Sequence, residues 1–225
     1  MKQRLFALVG GMMLHVSLVY GQFNLGVGYS GSLAKVDQFN LIVDQFNEKK
    51  PWLSKDLGHL NYLSGFYTSI RQKASIFTIE PGIRVDFATL RSNGVDPSVN
   101  TSFFQNIFLR NTSLELGFGI QTKVIGAGVS LNRNNFVLSH QVTGLSAKDN
   151  VIKQNGWGGQ VYLNIEMPGE KSRLNFRPFI KTTWFDINYD NLEETLLGAQ
   201  DPGSDRNEQP FLNYGIMLIF YNGIK

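Results

Sequence analysis

The 225-residue chain has no cysteine. Disulfide staples, thiolate metal ligands and thiol nucleophiles are therefore excluded, as is lipoprotein processing, which attaches lipid to a cysteine directly after the leader. Histidine is scarce, three residues in all, and no His, Asp and Glu cluster has metal-ligand spacing. Beyond the N-terminus no stretch approaches about 18 uninterrupted apolar residues, so a membrane-spanning helix is not expected there. An excess of one charge sign is missing too. Lys and Arg number 21 against 18 Asp and Glu, a formal net charge of +3, and Lys2 and Arg4 supply part of it from the extreme N-terminus. No basic stripe of the kind that suits nucleic acid is present, and no nucleic-acid partner is expected. Hydrophobic residues make up 42% of the chain and the mean hydropathy is -0.13. That is low for a helical membrane protein but ordinary for a barrel whose lipid face takes only every second residue.

Residues 1–21 read basic (Lys2, Arg4), then apolar, then small at Gly21. The apolar run is short and broken by Gly10, Gly11 and His15, which fits a secretory leader better than a spanning helix. Cleavage after Gly21 would leave Gln22 first. Two segments are thus expected, a signal peptide over 1–21 and a single barrel domain over 22–225.

An alternating pattern follows at once. Phe23, Leu25, Val27 and Tyr29 interleave with Asn24, Gly26, Gly28 and Ser30, a period of two that separates large residues from small or polar ones. Its recurrence predicts eight strands, over 23–33, 58–71, 75–90, 102–120, from about 124 onward, 156–167, 173–189 and 210–221. The third is the cleanest, with Phe77, Ile79, Ile83, Val85 and Phe87 opposite Thr78, Glu80, Gly82, Arg84 and Asp86. Pro81 falls on its apolar face and, lacking an amide donor, marks a bulge or a break in the ladder. In the fourth strand Asn106, Arg110 and Thr112 share the phase of Phe104, Phe108, Leu114 and Leu116, so its upper half is expected to project beyond lipid. In the fifth, 132–135 interrupts the alternation, and 136–143 reads either as a continuation or as a hairpin return.

Between the first two strands Val36, Phe39, Val43 and Phe46 recur at spacings of three and four. This predicts a short amphipathic helix, ended by Pro51. Those four side chains suit either capping of the barrel mouth or docking of a partner. The connections alternate, long after the first, third, fifth and seventh strands and short after the others. Outer-membrane barrels have long loops outside and short periplasmic turns, and an even strand count puts both termini on the periplasmic side.

On the polar phase of the strands fall Glu80, Arg84, Asp86, Glu115, Glu166, Arg177 and Lys181. Eight strands leave a lumen only wide enough for side chains, and buried charges must pair. An ion-pair network filling the barrel is expected, with a narrow gated ion path as the alternative. Catalysis has little support. Ser139 and His140 are adjacent strand positions that point to opposite faces, and no G-x-S-x-G occurs. Asp186, Asp190, Glu193 and Glu194 lack the calcium-loop signature. The glycines at 117, 119, 126 and 128 lack the strand–loop–helix context of a phosphate cradle and suit crowded strand positions. No cofactor, no metal and no enzymatic activity are expected. Tyr29, Tyr62, Phe87, Trp157, Trp184, Tyr189 and Tyr221, near strand ends, are expected in interfacial girdles. A soluble lipocalin-like barrel with the apolar face inward is the competing orientation. Against it, charges of both signs sit in midstrand opposite the aromatics.

Residues 23–29, the helical first loop with Lys50-Pro51-Trp52-Leu53, and the closing stretch 214–221 make the chain resemble the small eight-stranded outer-membrane barrels of the OmpA-like type, of the sort common in Bacteroidota. The likeness covers nearly all of the chain after the leader and is one of pattern rather than motif. It implies an all-β, eight-stranded antiparallel transmembrane barrel with a short helix in the first long loop, set in the outer-membrane lipid of a Gram-negative bacterium. It also implies a non-enzymatic structural or accessory role in which extracellular loops contact a protein partner or the surroundings. A small gated pore and an outer-membrane lipid hydrolase are the alternatives. Two departures stand out. Family members typically end on an aromatic residue, whereas Asn222-Gly223-Ile224-Lys225 follows Tyr221 here, and no peptidoglycan-binding domain follows the barrel, so a tethering role is not implied.

Overall fold

A computed structural model describes residues 22–143, 148–169, 172–198 and 208–222; the expected leader lies outside them. In chain order the elements are β1 (Gln22–Lys35), α1 (Asp37–Lys49), β2 (Leu53–Lys55), β3 (Tyr62–Ala74), β4 (Phe77–Asp96), β5 (Thr101–Gln121), β6 (Ile125–Val142), β7 (Asp149–Pro168), β8 (Ser172–Asn188), α2 (Asp190–Leu197) and β9 (Glu208–Asn222). The long strands hydrogen-bond in the order β4-β3-β1-β9-β8-β7-β6-β5, and β4 pairs with β5 to close the ring. All pairings are antiparallel. The three-residue β2 adds a short edge at the end of β4. Closure leaves no unpaired edge among the eight long strands, which is what allows strands to cross hydrocarbon.

The two faces of the wall differ along its length. On β5 the outward residues Leu114, Leu116, Phe118 and Ile120 are exposed, while Asn111, Ser113 and Glu115 point inward and are buried. Similar apolar outward rows run along β1 (Leu25, Val27), β3 (Phe66, Ile70), β6 (Ile125, Val129), β7 (Val161, Leu163), β8 (Ile180) and β9 (Ile216, Leu218, Phe220). A greasy band outside and polar side chains inside is the reverse of a soluble barrel. The chain is an eight-stranded antiparallel transmembrane barrel.

Toward the end that carries the helices, the polarity inverts. On β5 the outward positions mix Asn106 and Arg110 with Phe104 and Phe108, and the inward ones become the buried Ile107 and Leu109. On β6 the outward face changes to Arg133 and Asn135, and the inward face to Phe136 and Leu138. At the changeover both faces are polar, so 132–135 shows no alternation although β6 runs through it without a break in its pairing to β5. This settles 136–143 as continuation rather than hairpin return. The same inversion extends β4 to Asp96 and β7 back to Asp149, and the connection between β4 and β5 shrinks to four residues, far shorter than the long loop expected there.

The helices fill the inverted half. Val36, Phe39, Ile42, Val43 and Phe46 are fully buried in one apolar cluster with Leu57, Leu60, Ile107, Leu109, Phe136, Leu138, Ile187 and Phe211. Asp37 in the first turn and Lys49 in the last complement the helix dipole, and Pro51 follows the helix end as expected. A second helix, α2, occupies part of what reads in sequence as a polar loop. Leu192 and Leu196 join the same cluster, and Gly198 at φ +78° closes the helix in the left-handed conformation. Asn47 and Asn40 of α1 bond the backbone of Leu57 and Leu60, so the segment after β2 is strapped to the helix. Leu60 consequently lies in the core, and β3 begins only at Tyr62.

Smaller differences have local causes. The first short turn is Ser75-Ile76, with Ser75 at φ +59°, instead of 72–74. Pro81 breaks the β3–β4 pairing between Ser69 and Gln72 without changing the register, so there is no bulge. The strands shift register at Thr182/Asp186, where the Thr183 hydroxyl accepts from the Phe211 amide.

Candidate functional site

The polar half of the lumen is built by inward positions of consecutive strands. Arg71 comes from β3, Glu80, Arg84 and Asp86 from β4, Glu115 from β5, Glu166 from β7, and Arg177 and Lys181 from β8. All eight are buried, none more than 5% exposed. They pair locally into three groups.

The central group is organised on Glu80. Its Oε2 accepts from Arg177 Nη2 at 2.7 Å, and its Oε1 accepts from the Tyr221 hydroxyl at 2.6 Å, Ser69 Oγ at 2.8 Å and the Tyr67 hydroxyl at 3.0 Å. Arg177 also donates through Nε to Asn164 Oδ1 at 2.7 Å, and its guanidinium lies 4.6 Å from the centre of the Tyr162 ring. Room for that ring comes from Gly128. A Cβ there would fall 2.5 Å from the Tyr162 hydroxyl and ring carbon, so this glycine serves a close side-chain approach and not a phosphate.

Nearer the helical end, Arg84 Nε donates to Asp86 Oδ1 at 2.8 Å, and its Nη1 reaches Gln160 Oε1 at 3.3 Å. Lys181 donates to Glu115 Oε1 at 3.1 Å and to the Ser113 hydroxyl, with Asp86 Oδ2 3.9 Å away. At the opposite end, Glu166 accepts from Arg71 Nη1 at 2.7 Å and from the partly exposed Arg173 at 3.1 Å. Arg71 also packs over the Tyr221 ring at 3.8 Å. Apart from Arg173 at the rim, four cations face four anions, so the buried set is neutral.

The structure thus brings Glu80 together with Arg177, Arg84 with Asp86, and Lys181 with Glu115, while Glu166 finds its partners in two residues that sequence reading left out. Arg71 closes the expected strand 58–71, and its place one step after the outward Ile70 points it inward. Tyr221 was assigned to the girdle, yet it is buried in the lumen. Its odd position, against the outward run Tyr214, Ile216, Leu218 and Phe220, carried the signal. Tyr189 is likewise no girdle residue; it is buried among the helices, with the Phe39 ring edge-on at 6.0 Å. The other five girdle candidates, Tyr29, Tyr62, Phe87, Trp157 and Trp184, are exposed on the outside.

The expectation of partner docking through Val36, Phe39, Val43 and Phe46 is corrected. All four are at 0% exposure, because the inverted half of the barrel offers them an apolar interior. Ser139 donates to Asn150 Oδ1 at 2.9 Å and has no bond to His140. His59 sits 2.7 Å from Asp44 on the outer surface of α1. Among the described residues no group of His, Cys, Asp and Glu has the arrangement to hold a metal ion.

No protein-family model matches the chain, and no curated protein matches it. Among solved structures the chain is similar to Ail, the attachment invasion locus protein of Yersinia pestis, at 13% identity and a TM-score of 0.47, over 91% of this chain and 99% of that one. The complex of the same protein with the heparin analogue sucrose octasulfate gives 10% identity and a TM-score of 0.46 with the same coverage. Neisserial surface protein A gives 8% identity and a TM-score of 0.40, again over 91% and 99%.

Proposed function

We propose that this chain is a non-enzymatic accessory protein of a Gram-negative outer membrane, with the helical end outside, both termini in the periplasm and a lumen that serves as filling rather than as a path. One observation carries the reading. The interior is occupied along its length, first by the neutral ion-pair network around Glu80, Arg84, Asp86, Glu115, Glu166, Arg177 and Lys181, then by the apolar cluster around α1 and α2. Opening a water path through the first layer would require parting its buried ion pairs, and through the second it would wet fully buried apolar side chains. Support for the orientation comes from the asymmetry of the connections and from the leader expected over 1–21. The role then falls to the surfaces left over, the lipid band and the outer end. At the outer end Leu41, Val95 and Val99 are exposed and form the contact set for a partner or the surroundings.

Planar-bilayer recording tests the filling. Silence from the wild type is expected; steps that disappear in Arg84→Ala or Glu80→Ala would replace this reading with the gated pore. A pull-down from the native host with wild type and the Leu41→Asp/Val99→Asp variant tests the outer end, where equal recovery of every partner would remove those residues from the role.

A further inference from the structure

The outward face of the barrel carries a one-sided basic ledge. Arg110 on β5 pairs in the ladder with Phe87 on one side and Val137 on the other, and Val137 pairs with Lys153 on β7. Arg133 on β6 pairs with Leu114 and Trp157, and its guanidinium lies 5.5 Å from the Trp157 ring. Arg110, Arg133 and Lys153 are all exposed. Val137 also points outward but is only 7% exposed; the ladder sets the aliphatic stems of Arg110 and Lys153 on either side of it. With strands spaced about 4.8 Å apart, Arg110 and Lys153 stand about 10 Å from each other across β6.

The height of this ledge is informative. Level with it in the ladder are Phe87 beside Arg110, and Leu114 and Trp157 beside Arg133; directly below are Leu131 and Val161 of the greasy band. No outward position of β5 from 108 to 120, of β6 from 125 to 137 or of β7 from 153 to 167 holds an acidic residue, and none of the three cations forms an ion pair among the described residues. The other wall is different. Along β8, β9, β1 and β3 the residues bordering the band are Trp184, Asp186, Tyr214, Leu33, Lys35 and Tyr62, and the lone cation among them, Lys35, lies 4.0 Å from Asp37.

We propose that Arg110, Arg133 and Lys153 bind the phosphate groups of an anionic lipid headgroup whose acyl chains lie on the apolar face of β5–β7. The inference rests on the orientation proposed above, which places the ledge in the outer leaflet. Two features argue for a lipid-borne phosphate over a soluble anion. The cations are continuous with the lipid-facing band, and they sit at the depth where a headgroup meets hydrocarbon. Guanidinium groups suit bidentate phosphate contact, and a basic residue near an anionic membrane surface contributes about fivefold in affinity.

The test uses the full chain in nanodiscs of phosphatidylcholine doped with a small fraction of diphosphoryl lipid A, and native mass spectrometry after transfer to detergent. The wild type is expected to keep lipid A, and Arg110→Gln/Arg133→Gln/Lys153→Gln to bind it about a hundredfold more weakly, with added salt acting in the same direction. Three results would overturn the proposal: equal retention by the variant, equal retention of dephosphorylated lipid A, or displacement by millimolar inorganic phosphate. The heat-modified mobility of both proteins from lipid-A-free nanodiscs reports separately on the barrel. Loss of that signature in the wild type would strike the transmembrane reading, whereas a variant that keeps it and binds as before strikes only the ledge.

Discussion

Tyr221, the last inward side chain of β9, donates a hydrogen bond from its hydroxyl to Glu80 of β4 at 2.6 Å, across two intervening strands of the ring. The bond crosses the lumen, so it ties the last strand to one three places round the ring. It also completes a carboxylate that already holds Arg177, Ser69 and Tyr67.

Removal of the two partners should therefore differ. Glu80→Ala leaves the Arg177 guanidinium buried without its charge partner, and a loss of about 3–5 kcal/mol is expected. Tyr221→Phe leaves Glu80 with three other donors but also removes the hydroxyl that accepts from Arg177 Nη2 at 2.9 Å, and should cost about 1.5–3 kcal/mol. Replacing both charges, as in Glu80→Met/Arg177→Met, should recover most of the Glu80→Ala loss. Urea unfolding in lipid vesicles measures all three; equal losses for the first two would contradict the network as described.

Helix α1 should behave as core and not as a docking element. Phe39→Ala and Phe46→Ala each remove a fully buried ring, with an expected cost of about 3–5 kcal/mol. Leu41→Ala, on the exposed side of the same helix, should fall within about 0.5 kcal/mol of wild type. Limited proteolysis of the first connection gives a second readout, with faster cleavage expected only in the two Phe variants.

Tyr189 offers a pH test. Its hydroxyl is buried without a hydrogen-bond partner among the described residues, and burial pushes its pKa above the ordinary value of 10.0. A raised acid pKa favours the neutral form in the folded state, so its contribution to stability is complete below pH 10 and is lost as the pH climbs from there toward the folded-state pKa. The wild type should thus weaken in strong alkali, and Tyr189→Phe should weaken less. At neutral pH the substitution should be neutral or mildly stabilising, because no bond is lost. A steeper alkaline loss in Tyr189→Phe would show that another group governs it.

Because the chain lacks cysteine, single-cysteine variants report on the band without background. Val129→Cys and Leu116→Cys should resist a membrane-impermeant maleimide in vesicles, whereas Asn106→Cys and Asn135→Cys on the same outward faces should react. Reaction at Val129→Cys at the same rate as at Asn135→Cys would move the hydrocarbon boundary and with it the polarity inversion.

Much of the barrel could be read from residues alone because one signal, the period of two, holds wherever one face meets hydrocarbon and the other meets polar side chains. Glu80, Arg84 and Asp86 were legible as inward positions on that ground. The signal fails at 132–135 and at 110–113, where both faces are polar at once, and this is why β6 looked interrupted. It fails again for α2, whose eight residues put Leu192, Glu193 and Leu196 into an interior that no local pattern announces.

What the sequence determined by itself was the strand phase, and with it which side chains share a face, since backbone pleating leaves no other choice. Arg84 and Asp86 meet two positions apart on one strand, but which charges meet across the lumen was decided only by closure. Glu80 and Arg177 are joined across the lumen by ring order and stagger, not by spacing. The fate of Val36, Phe39, Val43 and Phe46 was likewise tertiary. An amphipathic helix dictates only that one face seek apolar surroundings, and the inversion of the barrel wall supplied them within the chain.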